Sequence, residues 1–202
     1  MVSIDDACRA PTNSGREASA YLRFVIEYYD NLPDYIAFLH GHEHGWHQKY
    51  PGSLFEAIKH VKKEEYDFIS LNLLPVVVAK PAGDPYWSVI HSVWPRFFEP
   101  YVGKPVPAQV EMVDVGAQFL VNKARILKYP KEQWKQWLDL TQNQNILGFH
   151  EFRYMPWVFE YTWHAIFGEE WEYHNHETNY ANRFTAPSHA DTQVHTTPEL
   201  HQ

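Results

Sequence analysis

The segment that most constrains the fold is a short apolar run at residues 35–39, which reads Tyr-Ile-Ala-Phe-Leu. Asn31 and Pro33 precede it, and both are residue types that interrupt regular structure. An apolar run of this length is typical of a β-strand buried on both faces, because a strand with one wet face alternates apolar and polar residues. The chain is therefore expected to fold around a sheet that other elements cover.

Helical and extended patterns alternate around this run. Residues 18–29 carry apolar side chains at helical spacing, and a second helix is expected after Ser53 as its N-cap, with an apolar stripe up to Val61. Residues 67–71 then predict another strand. The order of helix, strand, helix and strand favours one α/β domain, with a small mixed or parallel sheet flanked by helices.

The second half of the chain is less regular in pattern. Prolines recur through residues 75–107, where we expect an irregular lid or binding loop with one short helix at residues 89–98. The remaining elements are one strand and two helices, expected at residues 113–121, from Pro130 through Leu138, and at residues 157–167. This half therefore predicts fewer strands than the first and a segment that closes over a site.

Length and charge limit the functional classes. The 202 residues fit one domain, placed at residues 15–176 between a lead-in at residues 1–14 and an extended or disordered tail at residues 177–202. A net charge of −8 without clustered Lys and Arg argues against nucleic acid as a partner. No apolar run reaches the roughly 20 residues of a membrane span, and the start does not resemble a secretion signal. We expect a cytoplasmic protein that acts on a small-molecule substrate.

Four histidines follow the first predicted strand closely: His40, His42, His44 and His47. On extended backbone, residues two apart point to the same side, so the first three imidazoles share one face. Neutral imidazole binds Zn, Fe and Cu, and His47 would be a fourth ligand or would orient another one. The cluster predicts a divalent transition metal site. The alternatives are an anion site without metal and the histidines of an exposed loop.

Candidate acid–base groups lie later in the chain. Glu160 and His164 are spaced by one helical turn in the last predicted helix, and therefore lie on one helix face. A carboxylate and an imidazole among aromatic residues are expected to have perturbed pKa values, which suits general acid–base catalysis. The alternative is a core pair that anchors the packing. Asp114, close to Gly116, is a further candidate ligand or base, or else a turn carboxylate.

Several stretches carry a resemblance to a known family. They read Asn-Ser-Gly-Arg-Glu at residues 13–17, Phe-Leu-His-Gly-His at residues 38–42 and Phe-Glu-Tyr-Thr-Trp-His at residues 159–164. Over residues 13–168 the chain resembles the domain of unknown function 3431 family, which is remotely similar to GT-A type glycosyltransferases. The resemblance implies a truncated GT-A-like fold with Arg16 and Glu17 among the catalytic residues. It also implies that His40 and His42 lie where such folds hold a metal, which would then be Mn.

Three functions are consistent with these features. The first is a metal-dependent enzyme in which the histidines hold the metal, Glu160 acts as acid or base, and residues 75–107 close the site. The second is a GT-A-like glycosyl or nucleotide-diphosphate transferase, in which the histidines contact the diphosphate or its metal and Arg16 neutralises phosphate charge. The third is a non-catalytic protein that captures an apolar small molecule.

Overall fold

The computed structural model describes residues 13–41, 54–71, 76–81, 83–113 and 116–172. The α-helices in this part of the chain are α1 Arg16–Tyr28, α2 Leu54–His60, α3 Pro85–Phe97, α4 Glu99–Val102, α5 Lys123–Leu127, α6 Lys131–Gln142 and α7 Phe149–Ile166. The strands are β1 Tyr35–Phe38, β2 Phe68–Ser70, β3 Val76–Pro81, β4 Gln109–Val113 and β5 Phe119–Asn122. Together they form a single α/β domain, as the sequence predicts.

The main sheet has the strand order β1–β5–β2, and β5 runs antiparallel to both neighbours. Phe119 of β5 pairs with Phe38 on one side and with Ser70 on the other. The expectation of a mixed or parallel sheet is wrong for the described strands. The reason is that the chain enters β5 at the end of the sheet where β1 and β2 finish. A parallel β5 would need a crossover that returns the chain to the opposite end of the sheet. A second sheet pairs β3 with β4, also antiparallel.

The residues of β1 alternate between two apolar clusters. Ile36 and Phe38 belong to the main cluster, which α1, α3, α6 and α7 cover, whereas Tyr35 and Ala37 pack against a smaller one that contains Ile69. The strand is therefore packed on both faces, and more completely on the face toward the helices. This explains why its sequence is apolar without interruption.

Tryptophans fill much of the main cluster. Trp87, Trp94, Trp134 and Trp137 are all fully buried. Trp94 of α3 donates its indole N–H to the Lys104 carbonyl at 2.8 Å. Trp134 and Trp137 of α6 donate theirs to the Ile126 and Phe97 carbonyls at 3.2 and 2.8 Å. Such bonds remove the cost of burying a polar indole atom without a partner.

Residues 75–107 are more regular than expected, because strand β3 and helices α3 and α4 lie within them. Helix α3 begins earlier than the predicted helix, since Asp84 caps it by accepting hydrogen bonds from the N–H groups of Tyr86 and Trp87, each at 3.0 Å. Its buried face includes Trp87 and Ile90. Helix α3 is therefore part of the core, and the prediction of a lid is wrong for this helix.

Two other element boundaries differ from the predictions. The single strand expected at residues 113–121 is wrong, because β4 ends at Val113, β5 begins at Phe119, and Gly116 lies between them with φ 137°. The last helix begins at Phe149, well before the predicted start, and passes through Pro156, which is buried against the core. The helix at residues 18–29, the strand at residues 67–71 and the helix after Pro130 are confirmed as α1, β2 and α6.

Some predictions fall outside the described residues. These are the N-cap at Ser53, most of the lead-in and the tail at residues 177–202. None of the helices in the described ranges combines the length and the apolar character that crossing a membrane requires.

The start of α1 is joined to the end of α6 by small side chains. Ser14 donates to the Thr141 carbonyl at 2.7 Å, and the hydroxyls of Ser19 and Thr141 are 2.9 Å apart. Gly15 permits this approach, because a Cβ there would lie 1.7 Å from Ser19 Oγ and 2.8 Å from Thr141 Cβ. The Ser-Gly part of the motif at residues 13–17 is therefore structural, and it positions Arg16 and Glu17 after it.

We predict that Gly15→Ala lowers the free energy of unfolding by about 1–3 kcal/mol, since the methyl group overpacks a closed contact. Backbone strain is not the cause, because φ at Gly15 is −98°, which alanine also adopts. Gly83→Ala is the matched control, because nothing lies within 4 Å of its Cβ position. Urea denaturation of both variants measures the effect. Equal midpoints for the two variants would refute the proposed role of Gly15.

Candidate functional site

Strands β1 and β2 end, and β5 begins, at the same end of the main sheet. Gln118 forms hydrogen bonds to the residues that follow β1 and β2. Its buried side-chain Oε1 accepts the backbone N–H of His40 at 3.4 Å, just after β1 ends. Its backbone carbonyl accepts the N–H of Leu71 at 2.9 Å, just after β2 ends. Gln118 itself comes immediately before β5. One residue therefore fixes the backbone of the first histidine of the cluster relative to the whole sheet.

A carboxylate from α1 faces the imidazole of His40. Glu17 Oε1 lies 3.6 Å from His40 Nε2. The His40 side chain is 16% exposed and the Glu17 side chain 41% exposed, so a ligand can reach both. Glu17 lies in the first turn of α1, where the helix dipole favours a negative charge. At this distance, longer than a hydrogen bond, the carboxylate attracts the imidazole electrostatically and favours a ring orientation with Nε2 toward Glu17.

Tyr21 holds α1 against the same edge of the sheet. It lies one helical turn after Glu17 and donates its hydroxyl to the Ala117 carbonyl at 2.9 Å. Burial raises the pKa of Tyr21 far above the usual tyrosine value, and the negative charge of Glu17 raises it further. The hydroxyl therefore stays protonated and keeps its role as a donor, which maintains the position of Glu17 above His40.

Glu160 of α7 is the second carboxylate of the site. Its backbone carbonyl accepts the N–H of Gly116 at 3.1 Å, which attaches α7 to the loop that contains Gln118. Burial raises the pKa of Glu160 above the ordinary glutamate value, the charge of Glu17 raises it further, and the charge of Arg16 opposes both. Glu160 therefore holds a proton at a higher pH than an exposed glutamate, as a general acid or base near neutral pH requires.

Arg16 occupies an uncommon backbone conformation beside these carboxylates. Its φ is +46°, and it is the one residue other than glycine with positive φ in the described part of the chain. The guanidinium carbon lies 4.3 Å from the centroid of the Trp157 ring, so a cation–π contact holds the side chain against α7. Strained backbone of this kind is concentrated at functional sites, where surrounding contacts maintain it.

A cleft opens between α1 and β1 with Glu17 and His40 at one end. Its volume is about 420 Å³, within the range of small-molecule pockets. Most of the other described residues that line it are apolar, and they include Ala20, Phe24 and Ile36. The described site therefore combines an acidic and a basic side chain with an apolar cavity beside them.

For the predicted pair of Glu160 and His164, the contacts of His164 fit the core alternative. His164 is 2% exposed, and its Nε2–H donates to the Trp171 carbonyl at 3.2 Å. Burial lowers the pKa of His164 to about 4, the positive charge of Lys104 contributes to the decrease, and the bond to Trp171 opposes it. His164 is thus a neutral core residue that fixes the segment after α7, and Glu160 alone of the pair belongs to the site.

Of the predicted metal ligands, the structure describes His40 only. His42, His44 and His47 lie outside the described residues, and so does Asp114. Among the residues that are described, no group of three or more His, Cys, Asp or Glu side chains is arranged to hold a metal ion. The proposed metal site therefore remains a prediction that depends on the segment after Gly41.

Two members of the site were not anticipated from the sequence. Gln118 is a polar residue inside the apolar stretch at residues 116–121, a pattern that indicates a buried hydrogen-bonding role. Trp157 carries no comparable signal, because it is one of eight tryptophans and only its contact with Arg16 distinguishes it. Arg16, Glu17, His40 and Glu160, which were candidates, do lie near one another.

The fold and the site define a small α/β protein with two carboxylates, an imidazole and an apolar cleft at one edge of an antiparallel sheet. The chain belongs to the family described as "Protein of unknown function (DUF3431)", whose sequence model matches residues 2–182. No curated protein and no solved structure matches the chain. The likeness to GT-A glycosyltransferases therefore stays a prediction.

We predict that the contribution of His164 to stability depends on pH. Its pKa is about 4 in the folded chain and roughly 6.5 when unfolded, so between these values the unfolded chain binds a proton that the folded chain does not. Stability is therefore lost as the pH falls through this window, by about 3 kcal/mol in total. His164→Gln, which retains a donor toward Trp171, removes this loss.

The measurement is urea denaturation of both proteins at several pH values between pH 7 and pH 4. The difference in unfolding free energy between wild type and variant should shrink as the pH falls. His150→Gln, on an exposed histidine, serves as the control and should show no such trend. A difference that is independent of pH would contradict the assignment of His164 as a neutral core residue.

Proposed function

We propose that this protein is a metal-dependent enzyme that acts on a small molecule at the edge of the sheet where β1 ends. The observation that carries the proposal is the placement of Glu17 3.6 Å from His40 at the polar end of an apolar cleft. An imidazole oriented by a carboxylate is the usual arrangement of a metal-binding histidine. The pair also lies where a ligand in the cleft would meet it.

The metal in this proposal is a divalent transition ion, Zn, Fe or Cu, held by His40 with His42, His44 and His47. The surroundings of His40 support this assignment, because a carboxylate beside the ring would raise the basicity of an imidazole ligand. An ion bound there would supply Lewis acidity toward a substrate oxygen or an activated water.

Glu160 is the acid or base of the proposed enzyme. It has a raised pKa, it is half-buried, and it lies close enough to Glu17 to be affected by that charge. A carboxyl group of this kind donates a proton to a leaving group or accepts one from an attacking group. Arg16 would stabilise negative charge that develops between the two carboxylates.

The transferase hypothesis is the second candidate, and the placement of Arg16 is the observation that favours it. A guanidinium held beside Glu17 by its backbone and by Trp157 would neutralise a diphosphate, with Mn as the ion. The two carboxylates nearby work against a doubly charged phosphate group, and for that reason we rank this function second. The non-catalytic alternative would need only the cleft.

One set of preparations tests the proposal. Protein purified without a His tag is resupplied with Zn, Fe or Cu, analysed for bound metal, and incubated with an extract of small metabolites that is compared by mass spectrometry before and after. We expect about one equivalent of one metal in wild type, and a conversion that requires it. His40→Gln should lose both the metal and the conversion. Glu160→Gln should keep the metal and lose the conversion by about 100-fold or more.

His150→Gln is the control, because this exposed histidine lies on α7 away from β1, and it should retain both properties. If wild type binds fewer than about 0.1 equivalent of each metal, the proposed metal site is refuted. A conversion that Glu160→Gln performs at the wild-type rate would refute the role of Glu160. Conversion only when nucleotide sugars and Mn are present would replace the first candidate with the transferase.

A further inference from the structure

The cleft between α1 and β1 is polar at one end and apolar along the rest of its length. On α1, Glu17 lies at the polar end, and Ala20 and Phe24 follow at successive turns of the same face. On the opposite side, Ile36 of β1 lies at the apolar end, and His40, two residues after β1 ends, lies at the polar end. The helix and the strand therefore run in opposite directions along the cleft. Their polar residues lie together at one end of the cleft, and their apolar residues lie together at the other.

The dimensions of the elements give the length of the apolar part. Glu17 and Phe24 are separated by seven residues of helix, or about 10 Å at 1.5 Å per residue. Ile36 and His40 are separated by four residues of extended chain, or about 13 Å. A volume of about 420 Å³ over this length suits one small molecule. It is too small for a folded partner to insert an element.

The charges at the polar end select the head group of the ligand. Glu17 lines the cleft, and Glu160 is close enough to be affected by its charge. Arg16 is the nearby cation, but its guanidinium stacks on Trp157 and its charge is felt by Glu160. The protein as a whole carries a net charge of −8. An anionic head group would therefore meet repulsion that a neutral or cationic one does not.

We infer that the substrate is a small amphiphile with an apolar body about 10 Å long and a neutral or cationic head, such as a hydroxyl or an amine. The body lies between α1 and β1, and the head lies at the polar end of the cleft, beside Glu17 and His40. This inference rests on the proposed function for the statement that the head is the reacting group. Binding of the amphiphile in the cleft does not depend on the proposed metal or on catalysis.

Isothermal titration calorimetry with straight-chain probes tests the inference. We expect the dissociation constants of primary alcohols from butanol upward to fall about fourfold per added methylene, until the chain fills the cleft. Octylamine should bind at least as tightly as octanol, and octanoate at least about tenfold more weakly. Ala20→Phe fills the middle of the cleft, and we expect it to raise the dissociation constant of octanol at least about tenfold.

Ala124→Phe, at an exposed alanine of α5, is the matched control and should bind octanol as wild type does. Phe24→Ala is a second variant, which lengthens the cleft and should extend the affinity gain to longer alcohols. If Ala20→Phe binds octanol as tightly as wild type does, the cleft is not the binding site. If wild type binds octanoate as tightly as octanol, the assignment of the head group is wrong.

The outcomes also separate this inference from the proposed function. If wild type binds octanol in the cleft but holds no metal and converts nothing, the inference stands and the proposed enzyme fails. If Ala20→Phe keeps both its metal content and its octanol affinity, the inference fails while the metal site stands.

Discussion

The hydrogen bonds of Gln118 join the parts of the structure on which the candidate site depends. Its buried amide oxygen accepts the His40 N–H, and its carbonyl accepts the Leu71 N–H, so the ends of β1 and β2 are held on the two sides of β5. A buried amide that lost these partners would leave unsatisfied polar groups in an apolar interior. Gln118 therefore adds to the strand pairing of β1–β5–β2 and, through the same side chain, positions the backbone of His40.

Helices α1 and α7 place Glu17 and Glu160 near this end of the sheet, and each helix is attached there by its own hydrogen bond. Tyr21 bonds to Ala117, and the carbonyl of Glu160 bonds to Gly116, so α1 and α7 are both fixed to the loop before β5. Gly15 allows α1 to begin against α6, which places Glu17 above His40. Two carboxylates that approach one another in a half-buried place repel, and the raised pKa of Glu160 reflects that repulsion together with burial.

The sequence predicted the parts of the fold that local pattern determines. Helix α1 was anticipated from the helical spacing of its apolar residues, and strands β1 and β2 from short runs rich in apolar residues. The antiparallel pairing of β5 was not, because strand direction depends on where the chain enters the sheet. The early start of α7 was not predicted; Pro156, a residue type that usually interrupts helices, lies inside it and is buried.

The candidate site shows the same division. Glu17, His40 and Glu160 were recognised as chemistry-bearing residues, but their proximity joins positions far apart in the chain and depends on tertiary contacts. The choice between an acid–base role and a core role for His164 could not be made from the sequence, because helical spacing indicates a shared face and does not indicate burial. The bond of His164 to Trp171 comes from a segment after α7 that carries no periodic pattern.

The central claim is that Glu17 and Glu160 belong to one electrostatically coupled site. Carbon-detected NMR titration of the glutamate carboxyl groups measures this directly, in wild type and in Glu17→Gln. We predict that Glu160 in wild type titrates above the ordinary glutamate value, and that its pKa falls when the negative charge of Glu17 is removed. An ordinary pKa for Glu160, unchanged by Glu17→Gln, would contradict the account.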